Sequence, residues 1–256
     1  MKGSHRLDGR TCLITGASSG IGAHLARSMA SAGGRMVLCA RRTELTEGIA
    51  SEIRDNGGQA LAVPMDVSSE ASVNEAFFKG EEAFGPVDSV VANAGVSRYG
   101  RSTELTESDL RQVFDTNLLG VQLTANAAAR SMMAAGSRKT GGGRIVVIGS
   151  ITAQMTGQGD AAYAASKAGV AHLGRQLARE WVRQGINVNV VQPGYIRTEL
   201  VGEWFDTDGG KAQIESWHRR RIMEIDALDD LVLYLSSDAS AYLTGSCLTV
   251  DDGQSL

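Results

Sequence analysis

Aromatic side chains are scarce in this sequence, at 5% of 256 residues, and proline occurs three times against 31 glycines. That balance fits helices packed closely on a parallel sheet better than a β-sandwich, and it argues against disorder. Cysteine is also rare. Cys12, Cys39 and Cys247 are odd in number, lack C-x-x-C spacing and lie in strand-like apolar runs, the pattern of buried reduced thiols in a cytoplasmic protein without a metal site. Charge of neither sign dominates: 25 Lys and Arg face 29 Asp and Glu, a formal net charge of −4. No sequence-wide pull toward nucleic acid or anionic lipid follows. No apolar run is long enough to span a bilayer, and the polar start Met1-Lys2-Gly3-Ser4-His5-Arg6 has neither a secretory nor an organelle leader pattern.

What the chain does have is apolar material in short, regular runs. With 43% hydrophobic and 21% charged residues it can bury one sizeable core, and no linker or composition shift divides it, so one domain over residues 1–256 is expected. Strand-like runs cover Thr11 to Thr15, Arg35 to Ala40, Ala60 to Pro64, Ser89 to Ala92, Arg144 to Gly149, Asn187 to Gln192 and Cys247 to Val250. Helix-like stretches alternate with them: Gly20 to Ala32, Thr43 to Asn56, Ser69 to Phe84, Ser108 to Ala135, Ala161 to Gln184 and Ala227 to Ser236. Continuous apolar strands such as Ile145-Val146-Val147-Ile148 are those of a sheet covered on both faces. The reading is α/β: a Rossmann-type, doubly wound parallel sheet of seven strands with helices on both faces. Gly136 to Gly143 reads as a flexible surface loop, and Ile196 to Arg221 as a long insertion after the sixth strand.

After the first strand comes Thr15-Gly16-Ala17-Ser18-Ser19-Gly20-Ile21-Gly22, whose glycines sit where a strand turns tightly into a helix and exposes N–H groups to a pyrophosphate. The spacing is G-x-x-x-G-x-G rather than G-x-G-x-x-G. At the end of the second strand an acid would bond a ribose 2′-OH and repel a 2′-phosphate, but the residues there are Ala40-Arg41-Arg42. Forked, charge-assisted bonds from Arg41 and Arg42 favour NADP(H) over NAD(H); the bland alternative is two solvated arginines at a helix start. Asp66 could accept the adenine amino group or cap a helix, and Val67 beside it is grouped with the same cofactor wall.

Tyr163-Ala164-Ala165-Ser166-Lys167 puts a phenol and an ammonium one helical turn apart on one face. Ser150 ends the fifth strand, at the edge where open α/β sheets bind ligands. Proton exchange at a carbonyl or carbinol oxygen needs a group active near neutral pH, whereas free Tyr titrates near 10; Lys167, helped by a positive nicotinamide ring, is expected to lower it. Ser150 would hold the substrate oxygen as charge grows there.

Taken together these residues resemble the short-chain dehydrogenase/reductase family over nearly the whole chain, Leu7 to Gly253. Thr15 to Gly22 is similar to its TGxxxGxG, Asn93-Ala94-Gly95 to its NAG after the fourth strand, Ser150 with Tyr163 and Lys167 to its catalytic set, and Pro193-Gly194 to its PG turn. The resemblance implies that Tyr163 is the general acid/base, that Lys167 tunes it and bonds the nicotinamide ribose, and that Ser150 orients the substrate. It implies that Asn117 holds a water completing a proton relay, where the bland alternative is a packing amide, and that Thr198 and the Ile196 backbone hold the carboxamide. Strand order 3-2-1-4-5-6-7 and a homotetramer built on the helices at Ser108 to Ala135 and Ala161 to Gln184 are implied as well. One departure is the lengthened stretch between Asn117 and Ser150, around Arg138 and Lys139.

The stretch Glu199 to Arg221, expected to cover the substrate, concentrates Leu200, Val201, Trp204, Phe205, Ile214 and Trp217. These residues either line an apolar pocket for a bulky ketone or secondary alcohol, with Met155 and Tyr195 as further walls, or pack the covering helices onto the core. Arg219-Arg220-Arg221 reads as a solvated face, and His5, His24, His172 and His218 have no ligand spacing. The leading expectation is an NADP-dependent alcohol dehydrogenase or carbonyl reductase acting on a small molecule. A 3-oxoacyl carrier-protein reductase, docking its carrier through Arg130, Arg175 and Arg179, and a non-catalytic NADP-binding sensor or scaffold are the alternatives.

Overall fold

Successive side chains of a strand point to opposite faces of its sheet, so a strand apolar at every position needs cover on both. That is what the computed structural model contains; it describes residues 5–198 and 203–256. Strands β1 (Thr11–Thr15), β2 (Arg35–Ala40), β3 (Gln59–Pro64), β4 (Ser89–Ala92), β5 (Gly143–Ile148), β6 (Ile186–Pro193) and β7 (Cys247–Val250) form one sheet in the order β3-β2-β1-β4-β5-β6-β7. Every neighbouring pair is parallel. This is the Rossmann-like order expected from the sequence.

Helices α1 (Gly20–Ser31) and α2 (Thr43–Asp55), with the helix Asp229–Ser236, cover one face, where Leu25, Met29, Ile49, Ile53, Val232 and Leu235 meet Cys12, Ile14, Val146 and Ile148. Helices α3 (Glu70–Phe84), α5 (Gly120–Ala134) and α7 (Ala161–Trp181) cover the other, where Phe77, Ala125, Val170 and Trp181 meet Leu13, Ile145, Val147 and Val190. Two apolar layers therefore clamp the sheet, and each fully buried Val, Leu, Ile, Phe or Met side chain adds about 1.5–3 kcal/mol of transfer free energy against the ordering entropy. No helix among the described residues is long and apolar enough to cross a membrane.

Two expectations are corrected. The stretch Ser108 to Ala135 is not one helix: α4 (Glu107–Phe114) passes through a π-helical segment, Asp115–Leu119, before α5 begins. The residues from Gly136 to Gly143 are not a plain loop either, because they contain a one-turn helix, α6 (Ser137–Thr140), with Ser137 buried and its hydroxyl donating to the Gln184 carbonyl (2.7 Å).

The edge where the strands begin is held by charge rather than by apolar packing. Arg144, 1% exposed, donates through Nε to the Ser237 carbonyl (2.9 Å) and through Nη1 to the carbonyls of Gly141 (2.7 Å) and Gly143 (2.9 Å). Beside it Arg10 bridges Asp88 (3.2 Å) and Asp238. Arg144→Met strips buried carbonyls of their donor, so a loss of about 3 kcal/mol is expected, read as a lower urea midpoint. An unchanged midpoint would assign this edge no part in stability. The opposite edge, where the strands end, is free for chemistry, and the sheet order reverses there between β1 and β4.

Candidate active site

The loop from β1 to α1 is built for close approach. Gly20 has φ +53°, a left-handed value that L side chains adopt rarely. A Cβ on Gly22 would lie 2.4 Å from the Gly16 carbonyl oxygen and 2.5 Å from Asn93 Nδ2. The Asn93-Ala94-Gly95 turn after β4 locks this loop: the Asn93 and Ala94 N–H groups donate to Thr15 Oγ1 (3.0 Å each), and Asn93 Nδ2 donates to the Thr15 carbonyl (2.9 Å). Two separated motifs thus make one cradle at the α1 N-terminus, where backbone N–H groups and the helix dipole favour a phosphate. Gly22→Ala forces that cradle apart. We expect it to weaken dinucleotide binding by at least about tenfold, measured by fluorescence titration; full affinity in the variant would remove the cradle from the binding site.

The cradle opens onto a cleft of about 820 Å³ that runs along the strand ends from β2 and β3 to β5 and β6. Gly16, Ser18, Ser19, Gly20, Ile21, Arg41, Arg42, Asp66, Val67, Asn93, Ala94, Gly95, Pro193, Gly194, Ile196 and Thr198 all line it, with Ser150, Tyr163 and Lys167. Gly22 stands behind the loop it shapes. At the β2 end the Arg42 guanidinium donates to Ser19 Oγ (2.8 Å) and Ser18 Oγ (3.1 Å), which aims it across the glycine loop; Arg41 is exposed beside it. Asp66 does not cap α3, whose cap is Ser69. Its Oδ1 accepts from the Ser68 hydroxyl (2.7 Å) and N–H (3.0 Å), and the hydroxyl, the N–H and the Arg41 charge hold its carboxyl below the usual range.

At the β5 end the catalytic candidates converge. Ser150 follows β5, and its Oγ accepts from Thr152 N–H (3.2 Å) and Thr152 Oγ1 (2.9 Å). Tyr163 lies in the first turn of α7, and Lys167 Nζ is 5.6 Å from its ring centroid. Burial pushes the Tyr163 phenol up, and the Ser150 hydroxyl pulls it only part of the way back. The expected lowering by Lys167 does not arise from the protein groups, because the ammonium is turned to the Ile148 carbonyl (2.8 Å). Lys167 is itself lowered to about 8 by burial.

Asn117 sits inside the π-helical segment, fully buried. Its Oδ1 accepts from Val96 N–H (2.8 Å), and its Nδ2 donates to the Val96 carbonyl (2.9 Å) and Ser166 Oγ (3.0 Å). A Cβ on Gly95 would lie 3.6 Å from Asn117 Oδ1 and 3.7 Å from Lys167 Nζ, so amide and ammonium flank the same short piece of backbone. Insertion of one residue into the helical ladder is a known way to aim a functional side chain.

The substrate end differs from expectation. Tyr195 and Trp204 line the cleft, but Phe205 does not: it is 2% exposed and wedged edge-on between Tyr195 (5.5 Å) and Trp217 (5.7 Å). Phe205 supports the wall from behind, the packing role weighed above. Met155 also lies off the cleft, in the turn after Ser150 where its N–H donates to the Ile151 carbonyl (3.1 Å). Leu200 and Val201 fall outside the described residues. Arg219 and Arg221 pair with Asp252 (3.0 and 2.7 Å) and Arg220 with Glu215 (3.6 Å), a surface network. Tyr99, Thr152, Asp160 and Gln213 line the same end and were missed, since they belong to loops and helix ends with no motif of their own.

A parallel sheet that binds at its switch point, a glycine cradle for a diphosphate and a Ser–Tyr–Lys cluster define a dinucleotide-dependent oxidoreductase. The family profile described as short chain dehydrogenase matches residues 10–209, and the chain belongs to the short-chain dehydrogenase/reductase family. It is 36% identical to oxidoreductase UcpA of Salmonella typhimurium, over 98% of this chain and 96% of that one. To the 3-oxoacyl-[acyl-carrier-protein] reductase FabG of Escherichia coli it is 34% identical, over 96% and 97%. The gluconate 5-dehydrogenase of Burkholderia cenocepacia J2315, solved with NADP and tartrate, superposes with TM-score 0.92 at 34% identity, covering 98% of this chain and 97% of that one.

Proposed function

We propose that this protein is an NADP-dependent alcohol dehydrogenase or carbonyl reductase acting on a ketone or secondary alcohol large enough to reach the aromatic wall. The observation that carries the reading is the position of Ser150, Tyr163 and Lys167 in one cleft with the glycine cradle and with Arg41 and Arg42. A nicotinamide bound there supplies or takes the hydride. Burial keeps the Tyr163 phenol protonated near neutral pH, the form that gives a proton to a developing alkoxide. The Ser150 hydroxyl is left to donate to the same oxygen, since Thr152 donates to its lone pairs. Asn117 fixes the backbone beside Lys167, and Lys167 is the route by which a proton returns to Tyr163. Thr198 and Ile196 are assigned to the carboxamide, facing the cradle: a Cβ on Gly20 would lie 3.4 Å from Thr198 Cβ.

The test is steady-state oxidation of NADPH and of NADH across carbonyls from small aliphatic to bulky aryl ketones, with acetoacetyl thioesters included. The reading expects NADPH-linked turnover of aryl ketones. Turnover confined to thioesters would favour the carrier-protein reductase, the activity for which the Escherichia coli relative is named, and tight NADPH binding without turnover a sensor.

A further inference from the structure

The substrate end of the cleft holds a charge that the chemistry above does not use. Asp160 precedes α7, three residues before Tyr163, and it is only 9% exposed. It lines the cleft, yet among the described residues its carboxylate neither caps the helix nor makes a hydrogen bond or ion pair. Both oxygens lie over the backbone of Gly157, 3.2 and 3.5 Å from where a Cβ would be. With no protein group bonded to them, the Asp160 oxygens are left open to whatever fills the cleft, which is where a ligand donor would complete them.

The surroundings say which ligand. Tyr99, Tyr163 and Tyr195 line the same cleft, and the Gly100 N–H donates to the Gly159 carbonyl (2.9 Å), which joins the segment of Tyr99 to that of Asp160. Trp204 lines the same end, its Nε1 tied to Gln213 Oε1 (2.7 Å). The other charged residues of the cleft are Arg41, Arg42 and Asp66 at the dinucleotide end and Lys167, which is committed to the Ile148 carbonyl. No cation therefore balances Asp160 among the described residues. A carboxylate that shares a cleft with phenol and indole rings is suited to an organic ammonium, which can gain an ion pair and cation–π contact together. An anionic substrate would meet like charge there.

We propose that Asp160, with Tyr99, Tyr195 and Trp204, forms a subsite for a protonated amine, so that the substrate is an amino ketone or amino alcohol. The proposal rests on the oxidoreductase reading for its turnover measurement but not for its binding measurement. In the first, β-dimethylaminopropiophenone is compared with isopentyl phenyl ketone, in which CH replaces the charged N–H. Wild-type protein is expected to prefer the amino ketone by about tenfold to hundredfold in kcat/KM. Asp160→Asn, of the same shape, is expected to abolish that preference while the neutral ketone gains. In the second, N,N-dimethylphenethylammonium is titrated calorimetrically into the protein with NADP; binding is expected and should be lost in Asp160→Asn. Equal rates for the two ketones in wild type, or equal ammonium binding by wild type and variant, would overturn the subsite. Ammonium binding that depends on Asp160, with no turnover of any carbonyl, would uphold the subsite and overturn the oxidoreductase reading.

Discussion

Tyr163→Phe is expected to lower kcat for carbonyl reduction by about a hundred- to ten-thousandfold, with NADPH affinity kept. The substitution removes one oxygen from a ring already packed at the start of α7, so the cradle and the sheet are untouched. What it removes is the proton donor: the phenol that burial holds in its protonated form beside Ser150. Ser150→Ala should cost less, because it takes away a positioning bond and leaves the proton source. Lys167 adds a pH signature. Burial lowers its ammonium from 10.5 to about 8, so below that pH it carries charge next to Tyr163 and above it the charge is lost. Reduction should therefore decline as pH rises through about 8, and a profile flat across that range would detach Lys167 from the proton path. A Tyr163→Phe protein that turned over at near wild-type rate would end the account.

The second large effect concerns the cofactor. Arg41→Ala is expected to lower kcat/KM with NADPH by about tenfold to hundredfold and to leave NADH nearly unaltered, since a guanidinium–phosphate fork is lost only with the 2′-phosphate. Arg42→Ala should weaken both cofactors, because Arg42 also braces Ser18 and Ser19 of the glycine loop. The two single variants thus separate recognition of the 2′-phosphate from support of the cradle. If Arg41→Ala weakens both cofactors equally, the charge argument for NADP fails.

Much of this site could be read from the chain because its parts obey local rules. The seven strand runs announce themselves as apolar segments, and no observed bound differs from its expected one by more than a residue. Glycine spacing marks the cradle because only a residue without Cβ fits where Gly22 meets Gly16, and the one-turn separation of Tyr163 and Lys167 follows from helical geometry. What the sequence hid depends on three dimensions. The π-helical insertion at Asp115–Leu119 leaves the apolar periodicity intact, so Ser108 to Ala135 read as one helix. An aromatic-rich stretch cannot tell a wall from its backing, which is how Phe205 came to be expected beside Trp204. Asp160 and Tyr99 were invisible as site residues because each lies just outside a motif, Asp160 three residues before Tyr163 and Tyr99 four after Gly95; only the fold shows that both line the cleft. The direction in which Tyr163 shifts was also out of reach, since it depends on how deeply the phenol is buried and where the Lys167 ammonium turns.

The measurement that tests the central claim most directly is transfer of label from NADPH deuterated at both C4 positions to an aryl ketone. The account predicts one deuterium at the carbinol carbon of the product, with none arriving there from deuterated water, and loss of that product in Tyr163→Phe. Consumption of NADPH without deuterium at that carbon, or label drawn from solvent instead, would contradict it.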